Sequence, residues 1–147
     1  MTLILLNENH IAKIIEMESN SETSEFIVPY NNEKHKNEIK KPLNRYIGIY
    51  ENGQLLGFFI LGIEQEGERI EFRRIVIEKK GMGYGQQVLK ELEEYCISIW
   101  NTKSIWLDVF ESNKRGIHIY EKSGYKKIGE SSINEKRLII MEKYLQN

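Results

Sequence analysis

The chain has 147 residues, of which 40% are hydrophobic and 29% are charged, as is usual for a globular protein with one core. Its formal net charge of −1 gives no general reason to expect nucleic acid or an anionic membrane as a partner.

The cysteine content and the hydropathy indicate a compartment. Cys96 is the only cysteine, which excludes a disulfide framework within the chain and fits a reducing environment. No hydrophobic run reaches the length needed to cross a bilayer, and residues 1–10 lack the basic region and cleavage site of a signal peptide. We therefore expect a cytoplasmic protein.

The region before residue 45 predicts a strand and two helices. Residues 2–6 are typical of a short strand, and an asparagine after them can cap the helix that follows. That helix, residues 11–18, shows an apolar stripe, and Glu18 is expected on its solvent side. The polar residues 33–41 predict a second short helix that stops before Pro42.

The histidines of this region do not indicate a metal site. His10 lies beside the first helix and His35 lies in the charged second helix. Neither has a cysteine, histidine or carboxylate at ligand spacing. Both are expected to be exposed, and no metal ligand is predicted.

Residues 45–77 predict three antiparallel strands in a meander. Asn52 and Gly53 supply the positive φ angles that a type I′ hairpin turn requires. A second turn at Glu66 and Gly67 returns the chain as the third strand.

Four glutamates cluster around that second turn. Glu64, Glu66 and Glu68 are interpreted as a solvated acidic hairpin tip. Glu71 differs because it lies inside the strand that leads to a glycine-rich loop.

Residues 70–100 combine that strand with a glycine-rich loop and a helix. Gly81, Gly83 and Gly85 stand at alternate positions and permit backbone conformations that other residues avoid. The arrangement directs backbone N–H groups and the positive end of a helix to one spot, which suits a phosphate. Apolar residues recur on one face of the helix at steps of three and four: Val88, Leu89, Leu92, Tyr95, Cys96 and Ile99.

Other interpretations of the glycines can be compared by spacing. A tight strand-to-helix connection without a ligand is one of them. A P-loop is excluded, because Gln86 and Gln87 follow Gly85 where Lys-Ser/Thr is required. A dinucleotide fingerprint requires a glycine at position 86, where this chain has Gln86. Asp108 stands where a ribose-binding acid would, but too few strand–helix units follow for a dinucleotide fold.

The C-terminal third predicts a strand, a helix and a closing strand pair. The strand covers residues 104–110, and Asn113 is placed to cap a helix over residues 114–122. His118 in that helix is interpreted as a packed or surface residue. Asn134 marks the turn between the last two strands.

This order of elements, with two local motifs, resembles the GNAT superfamily of N-acetyltransferases. Residues 80–85 match its cofactor motif, Gln/Arg-x-x-Gly-x-Gly/Ala, except that Lys80 stands first, keeping the charge but not the planar donor fork. Residues 113–125 match its second signature. The resemblance covers essentially the whole chain. It implies one domain over residues 1–147, with a mixed, mostly antiparallel sheet of about seven strands flanked by about four helices.

The resemblance implies an N-acetyltransferase that moves an acetyl group from acetyl-CoA to a primary amine by direct attack on the thioester. A non-catalytic acyl-CoA-binding or regulatory interaction module is the alternative. The residues implied to bind acetyl-CoA are Ile75, Val76, Ile77, Lys80, Gly81, Met82, Gly83, Tyr84, Gly85, Gln86 and Asn113.

Acetyl transfer makes two proton demands. An alkylammonium of pKa about 10 must lose a proton, and a departing thiolate of pKa about 8.5 benefits from gaining one. By resemblance, Tyr120 matches the tyrosine that protonates the thiolate, although it also fits a core aromatic. Glu71 matches, also by resemblance, the strand glutamate that serves as base in some members. Other members deprotonate the amine through water chains. In that case Glu71 would only form an ion pair with Arg73 or Arg74.

The implied acceptor is a small-molecule or peptide amine. By resemblance, the region before residue 45 and the acidic hairpin line the acceptor side. Acidic lining suggests a cationic acceptor such as a polyamine, a lysine or a protein N-terminus, while antibiotic and amino-acid acceptors stay open. A homodimer is common in the superfamily.

Overall fold

The computed structural model describes residues 1–20, 26–78 and 84–145. Short 3₁₀ turns occur at Glu8–His10 and Gln65–Gly67. Within the described ranges, the strands are β1 Thr2–Leu5, β2 Asn44–Glu51, β3 Gln54–Glu64, β4 Arg69–Ile77, β5 Ser104–Phe110, β6 Lys126–Ile133 and β7 Lys136–Tyr144, and the α-helices are α1 Ile11–Glu18, α2 Asn32–Ile39, α3 Tyr84–Trp100 and α4 Lys114–Lys122.

The strands form one sheet in the order β1-β2-β3-β4-β5-β7-β6. The pairs β1–β2, β2–β3, β5–β7 and β6–β7 are antiparallel. The pair β4–β5 is parallel, with Glu71 opposite Trp106. The predicted fold class, a mixed and mostly antiparallel sheet of about seven strands with about four helices, is confirmed for the described residues.

Backbone contacts divide the chain into two compact units. The first comprises residues 1–62 and 73–79, and the second comprises residues 63–72 and 80–147. Strand β4 contributes residues to both. A single acetyltransferase domain over residues 1–147 stays a prediction. Within the described ranges, no helix is both long and apolar enough to cross a membrane.

The first unit has an apolar core between α1 and its strands. The predicted hairpin turn is confirmed, since Asn52 and Gly53 have φ angles of 53° and 75°. The core residues are Leu6, Ile14, Met17, Tyr46, Leu55, Phe58, Ile60 and Val76.

Two polar residues of the first unit are buried against the sequence expectation. Glu18 is 1% exposed and His35 is 0% exposed, so their placement on the solvent side was wrong. One Glu18 carboxylate oxygen is 2.5 Å from Arg74 Nη1 and the other is 2.6 Å from His35 Nε2. Arg74 Nη2 also donates to the Val28 carbonyl at 2.6 Å. The carboxylate is buried because a cation and a second donor compensate it there.

Hydrogen bonds connect the buried polar side chains of this cluster. Burial, followed by the nearby charges of Tyr30 and Glu18, raises the pKa of Tyr46, which keeps its proton. Its hydroxyl oxygen lies 2.8 Å from His35 Nδ1, and the two groups form a hydrogen bond. On the other side of the ring, His35 Nε2 donates to the Glu18 carboxylate at 2.6 Å. Every polar side-chain group of the cluster thus has a partner.

The second unit packs α3 against its strands. Cys96 is buried, as expected, and desolvation followed by the nearby Glu93 raises the pKa of its thiol to about 12, so the thiol stays protonated. Ile99, expected on the packed face of α3, is instead 51% exposed. The buried apolar residues include Ile70, Phe72, Val88, Leu89, Leu92, Ile105, Leu107, Tyr125 and Met141.

The glutamates of the second turn differ in environment. Glu66 and Glu68 are exposed, as expected. Glu64 is half-buried, and its carboxylate accepts from Arg69 Nη1 at 2.9 Å and from Trp106 Nε1 at 3.1 Å. Its interpretation as part of a solvated tip was wrong, because the sheet places two donors beside it.

Replacing Glu18 with glutamine should destabilise the protein, because the Arg74 guanidinium would stay buried without a counter-ion. Removing one partner of a buried ion pair costs about 3–5 kcal/mol. Urea unfolding would measure this loss as a lower free energy of unfolding. Glu16→Gln is the matched control, since the Glu16 side chain is 68% exposed and should cost at most about 0.5 kcal/mol. Equal losses in the two variants would contradict the assignment.

Candidate active site

The glycine-rich loop is only partly within the described residues. Four residues implied to bind the cofactor, Lys80, Gly81, Met82 and Gly83, lie outside them.

Tyr84, Gly85 and Gln86 form the first turn of α3. The first N–H groups of a helix lack acceptors within it and carry positive partial charge, which suits a phosphate. Gly85 has a further role, because a Cβ there would approach the Ile119 side chain of α4 to 3.2 Å. This glycine therefore allows α3 and α4 to pack closely, whatever the loop before it binds.

Strand β4 holds Ile75, Val76 and Ile77. Val76 is 1% exposed and packs in the core of the first unit, whereas Ile75 and Ile77 are half-buried. Strand β3 approaches β4 closely here, because a Cβ on Gly57 would overlap the Val76 carbonyl oxygen and lie 3.0 Å from Ile77 Cα. Any residue other than glycine at position 57 would displace the β4 backbone at Val76 and Ile77.

Glu71 lies within β4, is half-buried and stands opposite Trp106 of β5. The alternation of the strand puts it on the same face as Arg69 and Arg73, whereas Phe72 and Arg74 occupy the buried face. The candidate base is therefore on the more accessible face of β4.

Asn113 caps α4, as predicted from the sequence. Its side-chain oxygen accepts from the Gly116 N–H at 2.9 Å. A Cβ on Gly116 would lie 2.7 Å from the Asn113 side-chain nitrogen, so the glycine makes room for the cap. The capped helix carries Tyr120 towards its C-terminal end.

Tyr120 is half-buried on α4, with its ring 6.1 Å from the ring of Tyr125 at an interplanar angle of 63°. Burial raises the pKa of its phenol, and the negative charge of Asp108 adds to the shift. The hydroxyl is therefore protonated at neutral pH. It makes no hydrogen bond to another described residue.

Asp108 was considered from the sequence only as a ribose-binding acid. Asp108 is exposed overall. Protein atoms around its carboxyl group nevertheless reduce the hydration of that group and raise its pKa. The structure places its charge near Tyr120. The sequence did contain a signal for the position of Asp108. It stands two residues after Trp106 on β5, and residues two apart lie on the same face of a strand.

In the second unit, the charge of Asp108 acts on the Tyr120 phenol, and Glu71 lies opposite Trp106 in the sheet. Among the residues that the structure describes, no group of three or more histidine, cysteine, aspartate or glutamate side chains could hold a metal ion. The second unit therefore carries a protonated phenol on α4, a carboxylate on β4 and a capped helix. These groups suit proton transfer during acyl transfer.

The model of the acetyltransferase (GNAT) family matches residues 11–125. The chain belongs to this family. It is an N-acetyltransferase that uses acetyl-CoA as the acetyl donor. The non-catalytic alternative and the dinucleotide interpretation are therefore not favoured.

Similar proteins include two from Bacillus subtilis. A probable spermine N(1)-acetyltransferase of subspecies natto (strain BEST195) is 29% identical over 104 residues, which are 65% of this chain and 68% of that protein. A spermine/spermidine N(1)-acetyltransferase of strain 168 is 28% identical over the same length and shares of each chain.

The fold is also that of solved acetyltransferases. The crystal structure of spermidine N-acetyltransferase from Vibrio cholerae in complex with CoA and spermine has a TM-score of 0.82 to this chain. The two are 22% identical, and the match covers 97% of this chain and 94% of that one. This likeness supports the fold assignment.

The close approach at Gly57 leads to a prediction about donor binding. Gly57→Ala should push β4 away at Val76 and Ile77, because the new Cβ would overlap backbone rather than a movable side chain. If these residues bind acetyl-CoA, kcat/KM for the donor should fall by on the order of tenfold or more, since a shift of about 1 Å can cost 10²-fold.

Gly129→Ala is the matched control for steady-state kinetics, because a Cβ there meets only the Ile140 side chain, at 3.8 Å. Donor kinetics that are unchanged in a folded Gly57→Ala protein would argue against a donor-binding role for this part of β4.

Proposed function

We propose that this enzyme acetylates a primary amine of a polyamine, and that the free amine attacks the thioester of acetyl-CoA directly. The observation that carries the acceptor class is the pair of Bacillus relatives, both of which are named for spermine. A polyamine is a small-molecule amine acceptor, and its further ammonium groups would be bound by carboxylates.

The acidic hairpin gives this proposal less support than its sequence suggested. Arg69 lies within 2.9 Å of Glu64 and 3.2 Å of Glu142, so one cation compensates both carboxylates. Asp108 makes no ion pair with another described residue, and its charge lies near Tyr120. Among these carboxylates, Asp108 is the better candidate to attract a cationic acceptor.

For the donor, we propose three contact regions. The backbone of Ile75, Val76 and Ile77 would pair with the pantetheine arm in the manner of an added strand. The residues from Lys80 to Gln86 would hold the pyrophosphate at the start of α3. Asn113 would contact the donor in addition to capping α4.

We assign Tyr120 to the departing thiolate. Its raised pKa ensures that the phenol carries a proton at neutral pH. Because a thiol has a pKa of about 8.5, complete transfer from such a phenol is uphill. The hydroxyl would therefore stabilise the sulfur by a hydrogen bond as the carbon–sulfur bond breaks, with proton transfer following.

We assign Glu71 to the amine. It lies on the more accessible face of β4, where a carboxylate can accept a proton from the ammonium directly or through one water. The ammonium loses its first proton to Glu71 before attack, and the carbon–nitrogen bond forms. As the carbon–sulfur bond breaks, the nitrogen loses its second proton to water and the sulfur gains a proton from Tyr120, which water then reprotonates. A homodimer and a cytoplasmic location stay predictions.

A panel of acceptors assayed by CoA-thiol release tests the acceptor class. Spermine and spermidine should give a higher kcat/KM than lysine, a peptide N-terminus, an amino acid or an aminoglycoside. Preference for a monoamine or a peptide would overturn the polyamine assignment and leave the acetyltransferase activity standing.

Tyr120→Phe should lower turnover by on the order of 10²-fold, the lower end for general acid catalysis, with little change in acetyl-CoA affinity. The substitution keeps the ring and its packing and removes the proton. Pre-steady-state acetyl transfer would measure the chemical step. Turnover equal to that of the wild type would make Tyr120 only a packing residue.

Glu71→Gln should lower turnover most at neutral pH and recover partly as pH rises. The reason is that free amine becomes abundant near its pKa of about 10 without help from a base. The same rise should not restore Tyr120→Phe, because expulsion of the thiolate stays difficult. A pH–rate profile of both variants makes the comparison, and equal recovery would refute the two roles.

A further inference from the structure

On the basis of the proposed role of Tyr120, we infer that Glu93, Tyr125 and Lys143 form a positioning chain that orients the Tyr120 ring for proton donation. All three lie in the second unit, on α3, before β6 and on β7. None of them is proposed to touch the substrates.

The chain begins with a buried carboxylate. Glu93 is 7% exposed, although it lies on a helix whose polar residues mostly face solvent. One of its oxygens accepts from the Tyr125 hydroxyl at 2.8 Å, and the other accepts from Lys143 Nζ at 2.8 Å. Both acceptor oxygens are thus used, and the lysine compensates the charge that burial would otherwise disfavour.

Tyr125 connects this pair to Tyr120 through two contacts. Its ring is 6.1 Å from the Tyr120 ring in an edge-to-face arrangement, and its N–H donates to the Tyr120 carbonyl at 3.0 Å. Gly124 between them has a φ of +99°, which reverses the chain after α4. The backbone therefore fixes where Tyr125 stands, and Glu93 fixes how its ring is turned.

The hydrogen bonds also distinguish the two tyrosines. Desolvation, followed by the charge and hydrogen bond of Glu93, raises the pKa of Tyr125, so its hydroxyl donates to Glu93. The Tyr125 proton is therefore held in this hydrogen bond to Glu93. The Tyr120 hydroxyl makes no hydrogen bond to another described residue, so its proton is the one available to a departing thiolate.

Tyr125→Phe tests this chain directly. It keeps the ring, its packing and the Glu93–Lys143 pair, and it removes the hydrogen bond that fixes the ring. Turnover should fall by on the order of tenfold, less than in Tyr120→Phe, because the acid is displaced rather than removed. KM for acetyl-CoA should stay unchanged, whereas general loosening of the fold would change it as well.

The decisive measurement is a double-mutant cycle with Tyr120→Phe. If Tyr125 acts through the Tyr120 hydroxyl, adding Tyr125→Phe to Tyr120→Phe should produce no further loss of turnover. Multiplicative losses would overturn the positioning chain while leaving the role of Tyr120 intact. Wild-type turnover in Tyr120→Phe alone would instead remove the proposed role of Tyr120, and with it the positioning chain.

Variants of the ion pair supply the controls. Lys143→Met should lower turnover with a similar dependence on Tyr120, and Lys143→Arg should restore it because the cation is kept. Glu130→Gln breaks an exposed cluster with Lys127 and Arg137 in the same unit and should leave turnover unchanged. Thermal unfolding of each variant identifies any loss that is due to misfolding. Failure of Lys143→Arg to restore turnover in a folded protein would count against the chain.

Discussion

The arrangement of the first unit depends on the need to compensate one buried cation. Arg74 is 8% exposed on β4, between Phe72 and Val76 on the same buried face. A guanidinium in that position requires an anion and further acceptors close by. Glu18 at the end of α1 and the Val28 carbonyl supply them, and the Tyr30 ring lies 4.2 Å from the Arg74 guanidinium carbon. His35 on α2 completes the cluster by donating to Glu18. Both N-terminal helices are thereby tied to one residue of β4.

The sequence predicted the elements well because their signals are local. The Asn52-Gly53 turn, the Asn113 cap and the apolar stripe of α3 each follow from residues within one or two turns of chain. The burial of Glu18 could not be predicted in this way. Its compensating partner on β4 is 56 residues away in sequence, and a helical stripe reports polarity without reporting which partner the fold will provide. The burial of His35 could not be predicted for the same reason.

The candidate site shows a similar division. The resemblance to the superfamily nominated Asn113 and Tyr120 as site residues, and the structure adds their surroundings. Asp108 places charge near the phenol of Tyr120, while Gly57 controls how close β3 comes to Val76. Such effects depend on contacts between elements, and a motif contains no information about them. Sequence therefore nominates residues for a role, and packing determines their protonation and their freedom to act.

Charge provides a last example of this difference. The sequence has 22 acidic residues, and those around the second turn suggested an acidic surface for a cationic acceptor. In the structure Glu64 and Glu142 share Arg69, and Glu93 pairs with Lys143. A carboxylate that already holds a cation attracts a second one only weakly, because the two fields largely cancel beyond a few ångströms. Asp108 makes no ion pair with another described residue, so its field is not cancelled in this way.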